Sequence, residues 1–471
     1  MTRLETQHGE DSRERLSDEL LQETEAAQTP PELSGVTVPT TSLRHRALTG
    51  SAWTFAHYGG TRVLQLASNL ILTRMLVPDL FGLMAVVNLW MMALQMFSDI
   101  GIGPSIIQDK RADEPKFLNT AWTIQVIRGA ALWMASCVLA VPIAAVYDQP
   151  VLLQVIPIVG LTSIILGFNP TSYFSLHRHL LLGRITIFEI IAQVACVIAM
   201  VAWAYFSPTI WALVVGQVVR AVVILVLGWF GLPGIRNHFE WDRAAAGSLI
   251  RFGRWIFIST VITFLVMRID QFTLSGLMGM ALFGVFWIAL QLSDALAQFL
   301  LAFGSRLLLP LYARLHDAGS ESLRRNVTRV RLLLLGLALP PTLLVITFGE
   351  RIVDFLYPPE FHAAGWMLQV LSVGAIGSIV SHSCLPVLLA VGDSFRHLMT
   401  FVGQLIILAV AIVIGAYLGG SEGVIFAVAY ARLLGYFVTA AAVRKYGVWT
   451  PWIDLGPIIG ALIGLTIALV I

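Results

Sequence analysis

Long apolar runs, separated by short segments that carry charges, prolines or glycines, follow one another along the chain from residue 51 onward. A transmembrane helix needs about 20 predominantly apolar residues, and thirteen runs come close to that length. We predict spans at 51–73, 80–101, 117–141, 151–173, 184–206, 210–230, 249–270, 281–303, 330–349, 364–391, 397–418, 422–443 and 455–471. The last run is short, so residues 447–471 are a candidate additional transmembrane helix beyond an even set of twelve.

Composition agrees with this pattern, because 57% of the 471 residues are hydrophobic and only 12% are charged. Soluble domains carry about 25% charged residues. The predicted fold class is therefore an all-α polytopic membrane protein with 12 to 13 transmembrane helices. Cys137, Cys196 and Cys384 lie singly within apolar runs, which predicts neither a disulfide nor a metal site. We also expect no cofactor.

The first 46 residues differ from the rest, since they hold nine acids and five arginines and contain no apolar run. A segment of this composition cannot bury enough surface to become ordered. We predict a disordered acidic cytoplasmic tail, with a partner-binding segment as the alternative.

Lysines and arginines alternate between the predicted loops in a way that sets the orientation. With a cytoplasmic N-terminus, twenty of them fall on the inner side of the membrane and three, Arg74, Arg268 and Arg351, fall outside. Cytoplasmic loops of membrane proteins are enriched in Lys and Arg. A multi-pass protein with its N-terminus inside is the prediction.

An internal repeat is visible when the sequence is shifted by 202 positions, which places residues 69–97 on 271–299 with seven identities in 29 positions, Gly82 on Gly284 among them. The matching pieces are the first and seventh spans with their following hairpins, and both run from inside to outside. Parallel repeats of this kind surround a midplane site in many transporters. We therefore predict two six-helix lobes, at 47–235 and 236–446.

Four arginines, Arg62, Arg128, Arg220 and Arg432, lie near the centres of predicted spans. A charge at that depth costs about 2.5–3.5 kcal/mol on insertion scales and faces the bundle interior or a water-filled cavity. A guanidinium group holds phosphate or carboxylate with paired hydrogen bonds. We expect the four to bind an anionic substrate in a shared cavity, although each could instead pair with a carboxylate and lock helices together.

Two acids in spans, Asp294 and Glu189, are candidates for coupling transport to a proton or cation, or for structural pairing with the arginines. His57 and His382 also lie in spans. Lone histidines there are interpreted as helix contacts rather than as titrating switches.

Several function classes lack their sequence signals. The chain has no Walker A loop for ATP, and no repeated filter typical of a channel. The predicted loops are too short for a catalytic domain, so the protein is not expected to be an enzyme. Nothing indicates a nucleic-acid partner.

Local motifs resemble a known family. VPDLFGLMAV at 77–86, followed by SDIGIGPSIIQ at 98–108, is similar to the signature hairpin of the Wzx-type polysaccharide flippases. These flippases form the polysaccharide transporter branch of the multidrug/oligosaccharidyl-lipid/polysaccharide (MOP) exporter superfamily. Further similarities are LIRFGRW at 249–255, Asp270 with Gly279 and Phe283-Gly284, PLYARL at 310–315 and AVGD at 390–393.

This resemblance implies two six-helix lobes around a central V-shaped cavity. It also implies a function, which is to flip undecaprenyl-diphosphate-linked oligosaccharides across the bacterial inner membrane for polysaccharide export. Membrane lipids, a polysaccharide polymerase and assembly proteins are the implied partners. Two alternatives stay open: a cation-coupled multidrug or small-molecule exporter of the same superfamily, and a non-transporting scaffold of a polysaccharide assembly complex.

Overall fold

A computed structural model describes residues 43–99, 101–108, 111, 114–178, 182–303, 312 and 320–470. Every regular element in this part of the chain is a helix, which confirms the predicted all-α membrane fold. The predicted tail up to residue 42 and most of the Arg-rich stretch around PLYARL lie outside the described residues.

Fifteen helices are described, with a 3₁₀ turn at Pro359–Phe361 before the twelfth. They are α1 (Leu43–Leu72), α2 (Pro78–Phe97), α3 (Ile102–Gln108), α4 (Pro115–Val146), α5 (Leu152–Gly167), α6 (Ser172–Arg178), α7 (Leu182–Phe206), α8 (Trp211–Gly231), α9 (Arg243–Leu277), α10 (Met280–Phe303), α11 (Ser320–Leu356), α12 (Ala364–Cys384), α13 (Pro386–Ala390), α14 (Ser394–Arg444) and α15 (Pro451–Val470).

Within the described residues, seven helical segments are long and apolar enough to cross a membrane, or eight if one bent pair is counted as a span. The count of 12 to 13 spans therefore stays a prediction. The bent pair is α5 and α6, which meet at 64°. The run predicted as a span at 151–173 is therefore broken, because α5 ends at Gly167 and Pro170 lies between it and α6.

The 51-residue helix α14 contains two of the predicted runs. Its dihedral angles leave the helical region at Gly419 and Gly420, and Gly420 has a φ of +57°, a conformation that glycine adopts without steric cost. A Cβ atom built on Gly415 would lie 2.4 Å from the carbonyl oxygen of Gly423. The two halves therefore fold back on each other as an antiparallel helical hairpin.

The helices pack in two groups that repeat the same contacts. In the first lobe α4 packs on α5, α5 on α8, and α1 on α7; in the second lobe α11 packs on α12, α12 on α14, and α9 on α14. Helix starts differ by 202 residues from α2 to α10, and by 212 from α5 to α12 and from α7 to α14. The repeat seen in the sequence therefore extends across both groups, with a change of register after α10.

The two lobes come into backbone contact where α2 and α10 begin. A Cβ atom on Gly82 would lie 1.9 Å from the carbonyl oxygen of Met280, and one on Gly284 would lie 2.1 Å from that of Pro78. Small residues let membrane helices approach to backbone contact. Each glycine thus faces the first residue of the opposite helix, and this pair of contacts is called the α2/α10 contact below.

Helix α15 is attached to the second lobe by a buried ion pair. Arg331 of α11 donates to Asp454 of α15, and their side chains are 0% and 1% exposed. Arg331 also donates to Ser383 Oγ at 3.1 Å and to the carbonyl oxygen of Val448 at 3.2 Å. Helix α11 begins at Ser320, ahead of the predicted span at 330–349, and it carries the Arg331 side chain into the bundle.

The AVGD motif at 390–393 forms the turn that starts α14. Gly392 has a φ of +77°, and the Asp393 carboxylate accepts a hydrogen bond from the backbone N–H of Arg396 at 3.0 Å. The Tyr446 hydroxyl donates to the same carboxylate at 2.6 Å. These hydrogen bonds, that of Tyr446 first, hold the pKa of Asp393 below its usual range. This family motif therefore has a structural role at the described turn.

Candidate functional site

The first lobe contains a cavity of about 590 Å³ between α2 and α8 that brings two of the predicted arginines together. We call it the arginine cavity. The charged side chains that line it are Asp99, Arg128, Glu189 and Arg220.

Arg128 is held by the last turn of α2 and by Ser98, the first residue of the SDIGIGPSIIQ motif. Its Nε donates to Ser98 Oγ at 3.0 Å, and one Nη donates to the carbonyl oxygen of Gln95 at 2.7 Å. Asp99 in the same loop accepts from the backbone N–H of Gly101, which has a φ of +65°. The end of α2 and Ser98 therefore position this guanidinium group on the cavity wall, and no direct ion pair among the described residues neutralises it.

Arg220 on α8 has no hydrogen bond or ion pair to any described residue, and its Nε is buried without a partner. Buried donors in native proteins are almost always satisfied, and a buried cation left alone is costly. An unpaired guanidinium group in a cavity is therefore suited to an anionic ligand that completes its hydrogen bonds.

Glu189 on α7 lines the same cavity and accepts a hydrogen bond from the Tyr173 hydroxyl. This contact joins α6 to α7. Glu189 was predicted either to couple transport to an ion or to pair structurally, and the contact with Tyr173 is compatible with both.

A second cavity of about 480 Å³ adjoins the first and shares Gln95, Leu166 and Arg220 with it. We call it the amide chamber, because seven carboxamide side chains line it: Gln65, Asn69, Asn88, Gln95, Gln193, Gln217 and Gln291. The sequence analysis missed these residues. Their signal was Gln and Asn at helical spacing within apolar runs, as at Gln65 and Asn69, which places them on one face of a helix.

The second lobe contains a cavity of about 520 Å³ with more charge, which we call the ionic cavity. Its charged and titratable lining residues are Arg62, Arg268, Asp270, Asp294, His382 and Arg432.

Arg432 pairs with two carboxylates, Asp294 Oδ1 at 2.7 Å and Asp270 Oδ2 at 3.4 Å. Arg268 and Asp270 had been placed at the outer end of a span, which the structure corrects. Both lie within α9, which continues to Leu277, and Asp270 is 2% exposed. The neighbouring Arg432 makes that burial tolerable, because the carboxylate remains ion-paired away from water.

The remaining predicted residues connect or line this cavity. Arg62 on α1 donates to Gln298 of α10 and, at 3.1 Å, to Gln65, so it joins the two lobes. His382 lines the cavity, and its Nδ1 is buried with no hydrogen-bond partner among the described residues. The side chain of His57 lies outside the described residues.

The structure thus distributes the four arginines over two cavities rather than one. Arg128 and Arg220 share the arginine cavity, whereas Arg62 and Arg432 line the ionic cavity. The expectation of a single shared cavity for all four groups is therefore corrected. The sequence shows the depth of each residue, but it does not show which lobe surrounds each side chain.

Comparison with known proteins gives consistent relatives. A family model described as "Polysaccharide biosynthesis protein" matches residues 71–365. The lipopolysaccharide biosynthesis protein WzxC of Escherichia coli (strain K12) is 24% identical over 429 residues, which cover 87% of this chain and 86% of WzxC.

Solved structures with the same fold include the lipid II flippase MurJ in an inward closed conformation. Its TM-score is 0.66 at 12% identity, covering 90% of this chain and 97% of MurJ. An inward-facing multidrug resistance MATE family transporter of the MOP superfamily has a TM-score of 0.62 at 12% identity, covering 83% of this chain and 95% of the transporter. At such identity these two matches establish the fold alone.

The family match extends over more than half of the chain and through the hairpin of α2 and α3 on which the resemblance was based. The chain therefore belongs to the polysaccharide biosynthesis protein family, and its resemblance to the Wzx-type flippases is confirmed.

Proposed function

We propose that the protein flips undecaprenyl-diphosphate-linked oligosaccharide units across the bacterial inner membrane by alternating access, with its N-terminus in the cytoplasm. The polysaccharide then passes to polymerase and assembly proteins for export as exopolysaccharide, capsule or O-antigen. Family membership and the relationship to WzxC support this function.

The observation that carries the proposal is the unpaired Arg220 at the junction of the arginine cavity and the amide chamber. A diphosphate has several oxygens that accept hydrogen bonds. It can therefore bind Arg220 and Arg128 together, since both line the arginine cavity. The prenyl chain remains in lipid between the lobes. Arg62 joins the lobes at the ionic cavity, and in this proposal its contact with Gln298 changes as the lobes move.

The second lobe is assigned a different task. Because two carboxylates already pair with Arg432, this arginine is less suited to the substrate than Arg128 and Arg220. We propose that Asp294, with Asp270, responds to a coupling proton or cation by changing its pairing with Arg432. Glu189 is the corresponding candidate in the first lobe.

Substitution of Arg220 tests the proposal. Arg220→Gln keeps hydrogen-bonding capacity but removes the charge, and we expect it to abolish polymer output in cells that depend on this protein. Arg220→Lys should retain part of the output. The matched control is Arg351→Gln, at an exposed arginine that contacts the Phe348 ring.

Normal polymer output from Arg220→Gln, at wild-type protein level, would contradict the assignment of this residue. Normal export from both Arg62→Ala and Arg220→Ala would instead favour a scaffold. A multidrug exporter for cationic drugs needs carboxylates that are available to the drug, and the pairing of Asp270 and Asp294 with Arg432 argues against it.

A further inference from the structure

The amide chamber has a chemical character that the flipping function alone does not require. Of the twenty side chains described as its lining, one is charged, Arg220, and this residue lies at the border with the arginine cavity. Nine of the others are neutral and polar. The chamber volume of about 480 Å³ falls within the range of about 300–1,000 Å³ that holds small ligands.

The carboxamides of the chamber retain hydrogen-bonding capacity. Gln217 Nε2 donates to Asn88 Oδ1 at 2.9 Å, and Asn69 Nδ2 lies 3.5 Å from Gln291 Oε1. Each carboxamide has two donor hydrogens and an acceptor oxygen with two lone pairs. One bond per pair therefore leaves a donor and an acceptor on these side chains for a ligand.

Two more carboxamides, Gln95 and Gln193, make no side-chain hydrogen bond to a described residue. Such groups are costly in a membrane unless water or a ligand satisfies them. Groups that both donate and accept complement sugar hydroxyls, which have the same dual capacity. Trp287 of α10, half-buried in the chamber wall, adds an aromatic surface.

Acidic sugars lack a matching partner in the chamber. A carboxylate moved out of water requires a cation to pair with, because neutral donors alone do not offset the cost of burying its charge. Arg220 lies on α8 one helical turn beyond Gln217, on the face towards the arginine cavity, where the diphosphate is placed. A uronate held in the chamber away from Arg220 would meet only neutral polar groups among the described lining residues, namely the carboxamides, Ser68 and Thr162.

We propose that the amide chamber is the saccharide subsite and that it selects uncharged, hydroxyl-rich sugars, while Arg220 and Arg128 hold the diphosphate. This inference rests on the proposed function. The two parts of the substrate are bound at different places. The arginine cavity binds the charged diphosphate, and the carboxamides of the amide chamber bind the sugars.

The test measures binding of three synthetic probes to the full chain in lipid nanodiscs by microscale thermophoresis. The probes are a short-chain prenyl diphosphate, the same lipid carrying a neutral trihexoside, and the same trisaccharide with its C6 positions oxidised to carboxylates. We expect the neutral sugar to improve affinity over the bare lipid by about tenfold, the effect of one or two net hydrogen bonds. The oxidised sugar should give no improvement.

Variants locate the effect. Replacing Gln193 and Gln217 together by Leu should remove the gain from the neutral sugar. The control is Gln404→Leu, the same change at a glutamine that lines the ionic cavity, and it should keep the gain. Gln217→Lys supplies a cation in the chamber and should reverse the preference towards the oxidised sugar, a result that a misfolded protein cannot produce.

Equal affinity for the neutral and oxidised sugars, or no gain from either, would overturn the saccharide subsite. The subsite is also overturned if Gln404→Leu removes the gain as fully as the chamber variants, or if Gln217→Lys leaves the preference unchanged. Failure of the proposed function is distinct, since the bare prenyl diphosphate would then fail to bind or would bind equally well to Arg220→Gln.

Discussion

A guanidinium group inside a bundle has two very different roles depending on whether a carboxylate reaches it. Arg220 and Arg432 are separated by 212 residues, the same interval that relates α7 to α14, and they lie in the last helix of each lobe. Arg432 meets Asp294 and Asp270, whereas Arg220 meets no described carboxylate. The repeat has thus kept one cation position and given it two environments.

The free energy of unfolding should distinguish the paired Arg432 from the unpaired Arg220. Arg432→Met leaves Asp270 and Asp294 without their cation, and we expect a loss of about 3–5 kcal/mol in the free energy of unfolding, measured by denaturant titration in detergent. Arg220→Met is the matched control, and because it removes a half-buried cation with no described partner, it should leave the free energy of unfolding unchanged or higher.

Neutralising both acids should restore much of the loss. The triple variant Arg432→Met, Asp270→Asn, Asp294→Asn carries no unpaired charge at this place and should unfold near wild-type denaturant concentration. An equal loss in the free energy of unfolding for Arg220→Met and Arg432→Met would contradict the conclusion that only Arg432 is paired with carboxylates.

Depth along an apolar run was enough to identify Arg220 and Arg432 from the sequence, because charges near the centre of a span need a polar environment. Depth could not separate their roles. The carboxylates that pair with Arg432 are 138 and 162 residues away along the chain. Partners so far apart in the sequence can be identified only from the packing of the helices.

At the scale of whole elements, polar contacts decide where helices end and what they join. The run ending at 270 was predicted to stop at Arg268 and Asp270, yet α9 continues to Leu277 because Asp270 is paired inside the bundle. By contrast, α8 (Trp211–Gly231) lies within one residue of its predicted run at each end, and Pro208 and Pro233 lie just outside it. Charges mark a helix end reliably when they face water.

The terminal helix α15 should depend on its buried ion pair. Asp454→Ala leaves Arg331, which is 0% exposed, without its carboxylate, and we expect a loss of about 3–5 kcal/mol in the free energy of unfolding. Replacing the pair together, Arg331→Met with Asp454→Leu, should recover most of it.

The control on the same helix is Trp452→Ala, at a side chain 92% exposed, which should change the unfolding free energy by at most about 0.5 kcal/mol. If Asp454→Ala behaves like Trp452→Ala, then α15 is held by apolar packing and not by the ion pair.

At the scale of the molecule, the repeat and the family resemblance together predicted two lobes. The sequence also aligned Gly82 with Gly284, but alignment alone did not show that these glycines belong to one interface. Their proximity follows from the way α2 and α10 cross, which brings each glycine to the first residue of the other helix. The sequence likewise did not show that the arginine of one lobe is paired with carboxylates while that of the other has no described carboxylate partner, because the pairing depends on how the helices pack.

Filling the α2/α10 contact should separate the lobes. Gly82→Val places a side chain where a Cβ alone would lie 1.9 Å from the Met280 carbonyl oxygen. We expect a cost of about 1–3 kcal/mol from overpacking. The distance between spin labels at Val77 and Leu277, both exposed, should also increase in a chain whose three cysteines are replaced by alanine.

Gly279→Ala is the control for this change, since a Cβ there would meet no atom within 4 Å. It should leave the label distance as in wild type. An unchanged distance in Gly82→Val would show that the helices absorb the side chain without moving the lobes.

The α2/α10 contact also has an evolutionary consequence. Because Gly82 faces Met280 while its counterpart Gly284 faces Pro78, the counterpart of Met280, the interface is self-complementary. A half-length ancestor could have formed it as a homodimer, with two identical copies meeting at the same glycine. Joining the copies in one gene then freed each half to mutate alone, so that one lobe kept an arginine without a described carboxylate partner while the other paired its arginine with two carboxylates.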